Sequence, residues 1–154
     1  MEDLNIKKLN KNYEIDHVGF IVKDIDKSIK EFSNYLKIKD WRRLTIKPPL
    51  LIESTLYGEK VEHTFEVALG TLNNFYIELL MPLEGDSIYK EFLQENGEGP
   101  HHIDLLFKKL DDLEKKVKEM IEEGGEIIQS GMMTTGRYYY VKKNKLILEL
   151  RIKY

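Results

Sequence analysis

The 154-residue chain contains no cysteine. That excludes disulfides, thiolate nucleophiles and Cys-ligated zinc. Proline is scarce, with four residues, and there is a single tryptophan. No apolar run approaches the roughly 20 residues that a membrane-spanning helix needs. No block of one charge stands out either: 24 Lys and Arg are scattered among 27 Asp and Glu, for a net charge of −3. Nucleic acid would therefore find no basic footprint. The first residues, Met1 to Asn5, lack the form of a secretory signal, so a cytoplasmic location is the expectation. What is present is ordinary for a globular protein, 42% apolar and 33% charged. It suffices for one domain with a real core, and no boundary between independent domains is visible over 1–154.

The stretch from Gly97 to Phe107 reads Gly-Glu-Gly-Pro-His-His-Ile-Asp-Leu-Leu-Phe, a turn, a histidine pair and a strand-like apolar run. It echoes Asp16-His-Val-Gly-Phe-Ile-Val22. With His102 placed over His17, Lys23 falls on Lys108, Asp26 on Asp111 and Lys30 on Lys115, and apolar residues fall on apolar ones at Val18/Ile103 and Phe20/Leu105. A strand leading into a helix thus occurs twice, and such duplication fixes architecture. Late in each half comes a second echo, Tyr76-Ile-Glu-Leu79 and Leu146-Ile-Leu-Glu-Leu150. An ionisable residue in an apolar strand is costly unless it is paired or bound to a metal. Two histidines and two glutamates in equivalent places suggest one shared metal site on a pseudo-twofold axis.

In chain order, Met1 to Asn12 is a polar lead-in and Tyr13 to Val22 a strand. Asp24 caps a helix over Ile25 to Leu36, whose apolar residues Ile25, Ile29, Phe32 and Leu36 recur at helical spacing. Trp41 to Ile46 is a short strand broken by Pro48-Pro49, and 50–62 has no clear pattern. Strands follow at His63 to Leu69 and Phe75 to Leu80, with 70–74 as a turn. Asp86 or Ser87 caps a short helix (87–95), and His101 to Phe107 repeats the first strand. A second helix starts at Asp111 or Asp112 and ends at Gly124-Gly125. Strands at Glu126 to Gln129, Arg137 to Val141 and Leu146 to Ile152 complete the chain. The fold class is α+β: two βαβββ modules, 13–81 and 101–153, joined by the short helix.

These residues resemble the vicinal oxygen chelate superfamily, which includes glyoxalase I, extradiol dioxygenases, antibiotic-resistance proteins and methylmalonyl-CoA epimerase. The epimerase branch is the most similar, through Glu-Leu-Leu-Met-Pro-Leu-Glu-Gly-Asp-Ser at 78–87 and Asn-Gly-Glu-Gly-Pro-His-His-Ile at 96–103. The resemblance implies a curved, U-shaped mixed β-sheet around a metal. It implies metal ligands at His17, Glu78, His102 and Glu149, with His102 preferred to His101 because it directly precedes the apolar Ile103. Glu149 would double as one catalytic base. A second base would come from a strand of the first module, where Glu66 is the best match and Glu62 and Glu53 are fallbacks. A homodimer and an acyl-CoA thioester substrate are also implied, with no nucleic acid or membrane partner. The family's His-Pro after the Gly-rich loop is absent here: the loop is Gly131 to Gly136 and the strand after it Arg137-Tyr-Tyr-Tyr-Val141.

Two imidazoles and two carboxylates leave two open positions in an octahedron, suiting divalent Co, Mn, Ni or Fe as well as Zn. A substrate with two oxygens one carbon apart could fill them, and the metal would stabilise the enolate formed when the α-proton leaves. Epimerisation of methylmalonyl-CoA, or of a similar 2-acyl-CoA thioester, then needs a base on each face. A glyoxalase I-type lactoylglutathione lyase is the alternative, with the same ligand set. An extradiol dioxygenase is disfavoured by the fourth ligand, and a metal-free resistance module by the presence of all four. His63 and His101 read as groups at the surface or behind the ligands. Tyr138 to Tyr140 reads as strand packing. Arg137 reads equally as a surface residue or a contact for a substrate anion.

Overall fold

The computed structural model describes residues 12–154; the expected lead-in, 1–11, lies outside the described residues. Ten strands and three helices follow in the order β1 (Tyr13–Ile21), α1 (Ile25–Leu36), β2 (Trp41–Ile46), β3 (Leu51–Leu56), β4 (Glu59–Lys60), β5 (Phe65–Leu72), β6 (Phe75–Pro82), α2 (Ile88–Asn96), β7 (Gly99–Phe107), α3 (Leu110–Glu122), β8 (Glu126–Met133), β9 (Gly136–Lys143) and β10 (Leu146–Lys153). All ten strands form one mixed sheet in the order β2-β5-β6-β1-β7-β10-β9-β8-β3-β4. The first half runs inward from its edge to β1 and the second runs outward from β7, so the two copies of the repeated strand lie side by side, antiparallel. Each of them pairs in parallel with the last strand of its own half, β1 with β6 and β7 with β10. The sheet curls into a half-barrel.

Helix α1 starts where Asp24 accepts a hydrogen bond from the Lys27 amide at 3.0 Å, which satisfies one of the free N–H groups of the first turn. Its Ile25, Ile29 and Phe32 cover Ala68, Ile77 and Leu79 on the convex face of the sheet. The repeated helix α3 does the same for the second half, with Leu113, Val117 and Met120 packed on Leu105, Val141 and Leu150. Its first helical residue is Leu110, and Lys109 at the N-cap makes no side-chain cap; Asp111 and Asp112 lie in the first turn instead of capping it. They still face the positive end of the helix dipole there. Ser87 caps α2 by accepting from the Lys90 amide. That short helix drops Ile88 and Tyr89 into the concave side, against Ile21, Phe65 and Tyr138.

The unpatterned segment 50–62 is the main departure from two plain βαβββ units. It forms β3 and β4, which leave their own half and extend the opposite edge, Leu56 opposite Gln129 and Leu51 opposite Met133. Only four residues separate Ile46 of β2 from Leu51 of β3. At about 3.5 Å per residue they hold the two edges of the curl close together. Ile46 and Leu51 share the concave core with Phe65 and Tyr138. Among the described residues, no helix is long and apolar enough to cross a membrane.

Candidate metal centre

Strand periodicity decides which residues meet on the concave side. On β1 they are His17 and Gly19, while Phe20 packs on Phe32 of α1. Glu78 of β6 stands beside Gly19. His102 of β7 stands on the other side of Gly19. Glu149 of β10 is paired with Asp104 and Tyr140. Gly19 is required at this spot: a Cβ there would run into the imidazole of His102.

The four side chains converge. His17 Nε2 lies 3.2 Å from His102 Nε2 and 3.1 Å from Glu149 Oε2. Glu78 Oε2 is 2.5 Å from His17 Nε2 and 3.5 Å from His102 Nε2. Glu149 Oε2 is 3.3 Å from His102 Nε2. One ligand atom from each of the four residues falls within 4.8 Å of all the others, and all four residues are buried. A sphere of ~2.1 Å around a metal puts its ligand atoms about 3.0 Å apart at right angles and about 3.4 Å apart at tetrahedral angles. Apart from the shorter His17–Glu78 contact the distances lie near these values, and this buried group could hold a metal ion.

The electrostatics suit the same purpose. Burial pushes Glu78 up, but the charge of His17 and hydrogen bonds from both imidazoles outweigh it and bring the carboxyl down to about 2. Glu149 is held well below its ordinary value by the same two histidines. Burial alone would lower His17, yet the Glu78 charge and hydrogen bonds with Asp16 and Glu149 raise it. His102 is raised in the same way. The carboxylates are thus ionised, and a metal would displace imidazole protons.

Behind the cluster lies a second set of charges, of which a period of two could have found Arg151 and Asp104 but not Asp16, which is adjacent to His17. Asp16 Oδ2 is 3.2 Å from His17 Nδ1. Arg151 donates to the same oxygen at 2.8 Å, and its other contacts reach Asp104 Oδ2 at 2.9 Å and Oδ1 at 3.0 Å. Arg151 sits two residues beyond Glu149 and so shares its face. His101, expected at the surface or behind the ligands, is buried, and its Nδ1 is 3.0 Å from His102 Nδ1. Burial, followed by the charge of His102, lowers His101 to about 3. Neutral His101 can therefore accept from His102 Nδ1–H and leave Nε2 aimed at the centre. His63 is also buried, its ring stacked on Phe65.

A cavity of about 330 Å³ opens from the cluster. Leu44, Ile46, Val67 and Leu69 give it one apolar wall, and Tyr138 and Tyr140 stand on the other. Tyr138 and Tyr140 pack in the concave core and also line the cavity, while Tyr139 packs on the α3 side, as the strand-packing reading expects. Arg137 lines the mouth, half-buried, 4.0 Å from Glu114.

Glu66 does not belong to this site, contrary to expectation. Phe65 and Val67 turn inward from β5, so Glu66 turns outward, where Arg43 donates to it at 2.9 Å through Nε. Of the fallbacks, Glu62 is exposed, and Glu53 is exposed and 3.6 Å from Lys60. The carboxylates that line the cavity are Glu78, Glu149 and Asp16, the last tied to Arg151.

A family profile described as the Glyoxalase/Bleomycin resistance protein/Dioxygenase superfamily matches residues 16–141. No curated protein sequence matches the chain. Among solved structures, a hypothetical protein from Bacillus halodurans is 24% identical, covering 94% of this chain and 96% of its own, with a TM-score of 0.64. Methylmalonyl-CoA epimerase from Mycobacterium tuberculosis is 19% identical over 91% of this chain and 87% of its own, at a TM-score of 0.61. A Streptomyces coelicolor methylmalonyl-CoA epimerase in complex with 2-nitronate-propionyl-CoA is 18% identical over 92% and 95%, at 0.67. At such identities the likeness shows the fold.

Proposed function

The chain belongs to the glyoxalase/bleomycin resistance protein/dioxygenase superfamily, and from that premise we propose that it is a metal-dependent isomerase that moves a proton α to a thioester carbonyl, with methylmalonyl-CoA or a similar 2-acyl-CoA thioester as substrate. The observation that carries this reading is the convergence of His17, Glu78, His102 and Glu149 at the head of a cavity with an apolar wall. His17 and His102 would hold the ion with the two carboxylates, and His101, Asp16 and Arg151 would orient the imidazoles. When bound, the metal supplies Lewis-acid polarisation of the substrate's two oxygens. Glu149 takes the α-proton as the base. With Glu66 facing outward, Glu78 serves the other face, a reading supported by its lining the cavity without being tied to an arginine. The wall of Leu44, Ile46 and Val67 excludes water from the acyl substituent and so protects the enolate from stray protonation.

The test is proton exchange. Metal-loaded protein is incubated in D2O with (2R)- or (2S)-methylmalonyl-CoA, and α-deuterium and stereochemistry are followed, with His102→Ala as control. Metal-dependent exchange with inversion, absent from the variant, is the expected result. A second reading has one observation of its own in favour. Both carboxylates free to act are members of the ligand cluster itself, an arrangement that equally serves the isomerisation of a methylglyoxal–thiol adduct. If metal binds and the CoA thioester exchanges nothing, conversion of the methylglyoxal–glutathione adduct decides for that reading.

A further inference from the structure

The geometry points to Tyr138 as a ligand-binding residue, its hydroxyl donating a hydrogen bond to an anionic oxygen of whatever molecule occupies the cavity. The inference rests on the metal-centre reading above and adds to it a contact on the opposite wall.

Five tyrosines line the cavity, and three of them, Tyr89, Tyr138 and Tyr140, pack on one another with hydroxyls that differ in state. Tyr89 donates to Tyr140 at 3.1 Å, so those two satisfy one another. Tyr138 is 3% exposed, lines the same cavity as Glu78 and Glu149, and its hydroxyl has no hydrogen-bond partner among the described residues, the Tyr89 hydroxyl that pulls on its pKa lying outside hydrogen-bond geometry. A buried hydroxyl without a partner is a penalty that phenylalanine would not carry, so its place at the wall of a ligand cavity calls for a partner that arrives with the ligand. The ring is also located by its surroundings. Tyr138 packs edge-on to Tyr140, with centroids 5.7 Å apart, and its phenol end lies over Gly131 of β8, where any Cβ would collide with it. The side chain is thus held in place, as a donor must be to act in a preorganised site. Burial, and then the charge of Glu149, raise the phenol well above its ordinary value, with the nearby Tyr89 opposing. It therefore stays an O–H donor at neutral pH. The ligand class that matches is a small molecule with two oxygens for the metal and negative charge, present or developing, on an oxygen that faces β9.

Malonate, the smallest dicarboxylate with its oxygens in that relation, serves as the probe. The wild-type protein is loaded with Co(II), and malonate is titrated in against the visible Co(II) bands. Tyr138→Phe should weaken malonate binding roughly 10- to 100-fold, the range for a hydrogen bond to a charged group. Co(II) affinity and melting temperature should stay as in the wild type, because no protein partner is lost. Gly131→Ala, which leaves the hydroxyl in the chain but displaces the ring, should weaken malonate too. Equal malonate affinity in the wild type and Tyr138→Phe overturns the inference and leaves the metal centre standing. Co(II) binding with no malonate binding by the wild type does the same. A wild-type protein that binds no Co(II) overturns the metal-centre reading and this inference together.

Discussion

His17 Nε2 and His102 Nε2 lie 3.2 Å apart although the two residues are separated by 85 positions in the chain. Each is the histidine of its own copy of the repeated strand, and the copies pair antiparallel at the middle of the sheet. The two copies therefore contribute to one composite cluster in place of two separate ones. Neither half holds more than one histidine and one carboxylate of the cluster, so neither half alone could hold the ion that the pair could.

Metal addition is the first consequence. A ligand that binds only the folded state stabilises it by about 4 kcal/mol at a thousandfold excess over its Kd. For a chain of this size that is a rise in Tm of roughly 8–16 °C. Protein stripped with EDTA should therefore melt well below protein given Co(II) or Zn(II), and His102→Ala or Glu149→Gln should erase the difference. Superimposable melting curves for stripped and loaded wild type would refute the metal centre.

Arg151 is the next consequence. It neutralises Asp104, which is fully buried, and it ties down Asp16, whose carboxylate contacts His17. Breaking a buried pair from one side leaves a buried charge uncompensated, at about 3–5 kcal/mol. Arg151→Met should lower stability by that order, as read by urea unfolding. In the fraction that folds, metal affinity should drop roughly 10- to 100-fold because the support behind His17 is gone. Unchanged metal affinity in the folded variant would mean that Arg151 has no part in orienting the ligand.

How much of this was legible in the sequence follows from how local each signal is. The four-residue cluster was legible because two strands repeat their histidine and two repeat their glutamate, and the period of two turns each one inward. Glu66 was misplaced for want of register. Within His63 to Val67 nothing local says whether Phe65 or Glu66 faces in, and packing against Ile46 and Leu51 decides it. The strand at 51–56 was illegible because its partner is distant: Thr55 meets Ser130, 75 positions away. Arg151 and Asp104 were legible in principle, since each lies two residues beyond a cluster residue; Asp16 was not, because it is next to His17 and shares its side only at an irregularity of β1 between Ile15 and Val18.

The outward turn of Glu66 makes a contrast with Glu78 that kinetics can read. Glu66→Gln weakens an ion pair whose arginine still holds Asp26 at 2.6 Å. It should shift stability by under ~1 kcal/mol and leave metal binding and turnover within a factor of two. Glu78→Gln removes a charge from the cluster and a proton carrier from the cavity, and turnover should fall about 10²- to 10⁴-fold. If the two variants lose activity alike, the assignment of the second base to Glu78 is wrong.

His63 gives the protein an acid-sensitive point away from the ligands. It is 3% exposed, its Nε2 has no partner among the described residues, and its Nδ1 is 3.5 Å from the Ser54 hydroxyl. Burial lowers its pKa from 6.5 to about 4. A lowered pKa means that the fold favours the neutral ring, so the unfolded chain takes up a proton first as the medium turns acid. The stability this provides is present in full above pH 6.5 and is lost as pH falls through about 4, on the order of 3 kcal/mol in all. His63→Leu has no proton to take up there. Urea unfolding of metal-free protein from pH 7 to pH 4 should therefore show the wild type losing stability more steeply than His63→Leu, by up to one proton's worth of slope. Parallel curves over that range would show that His63 is as easily protonated in the fold as out of it, and that its burial beneath Tyr89 is not maintained in solution.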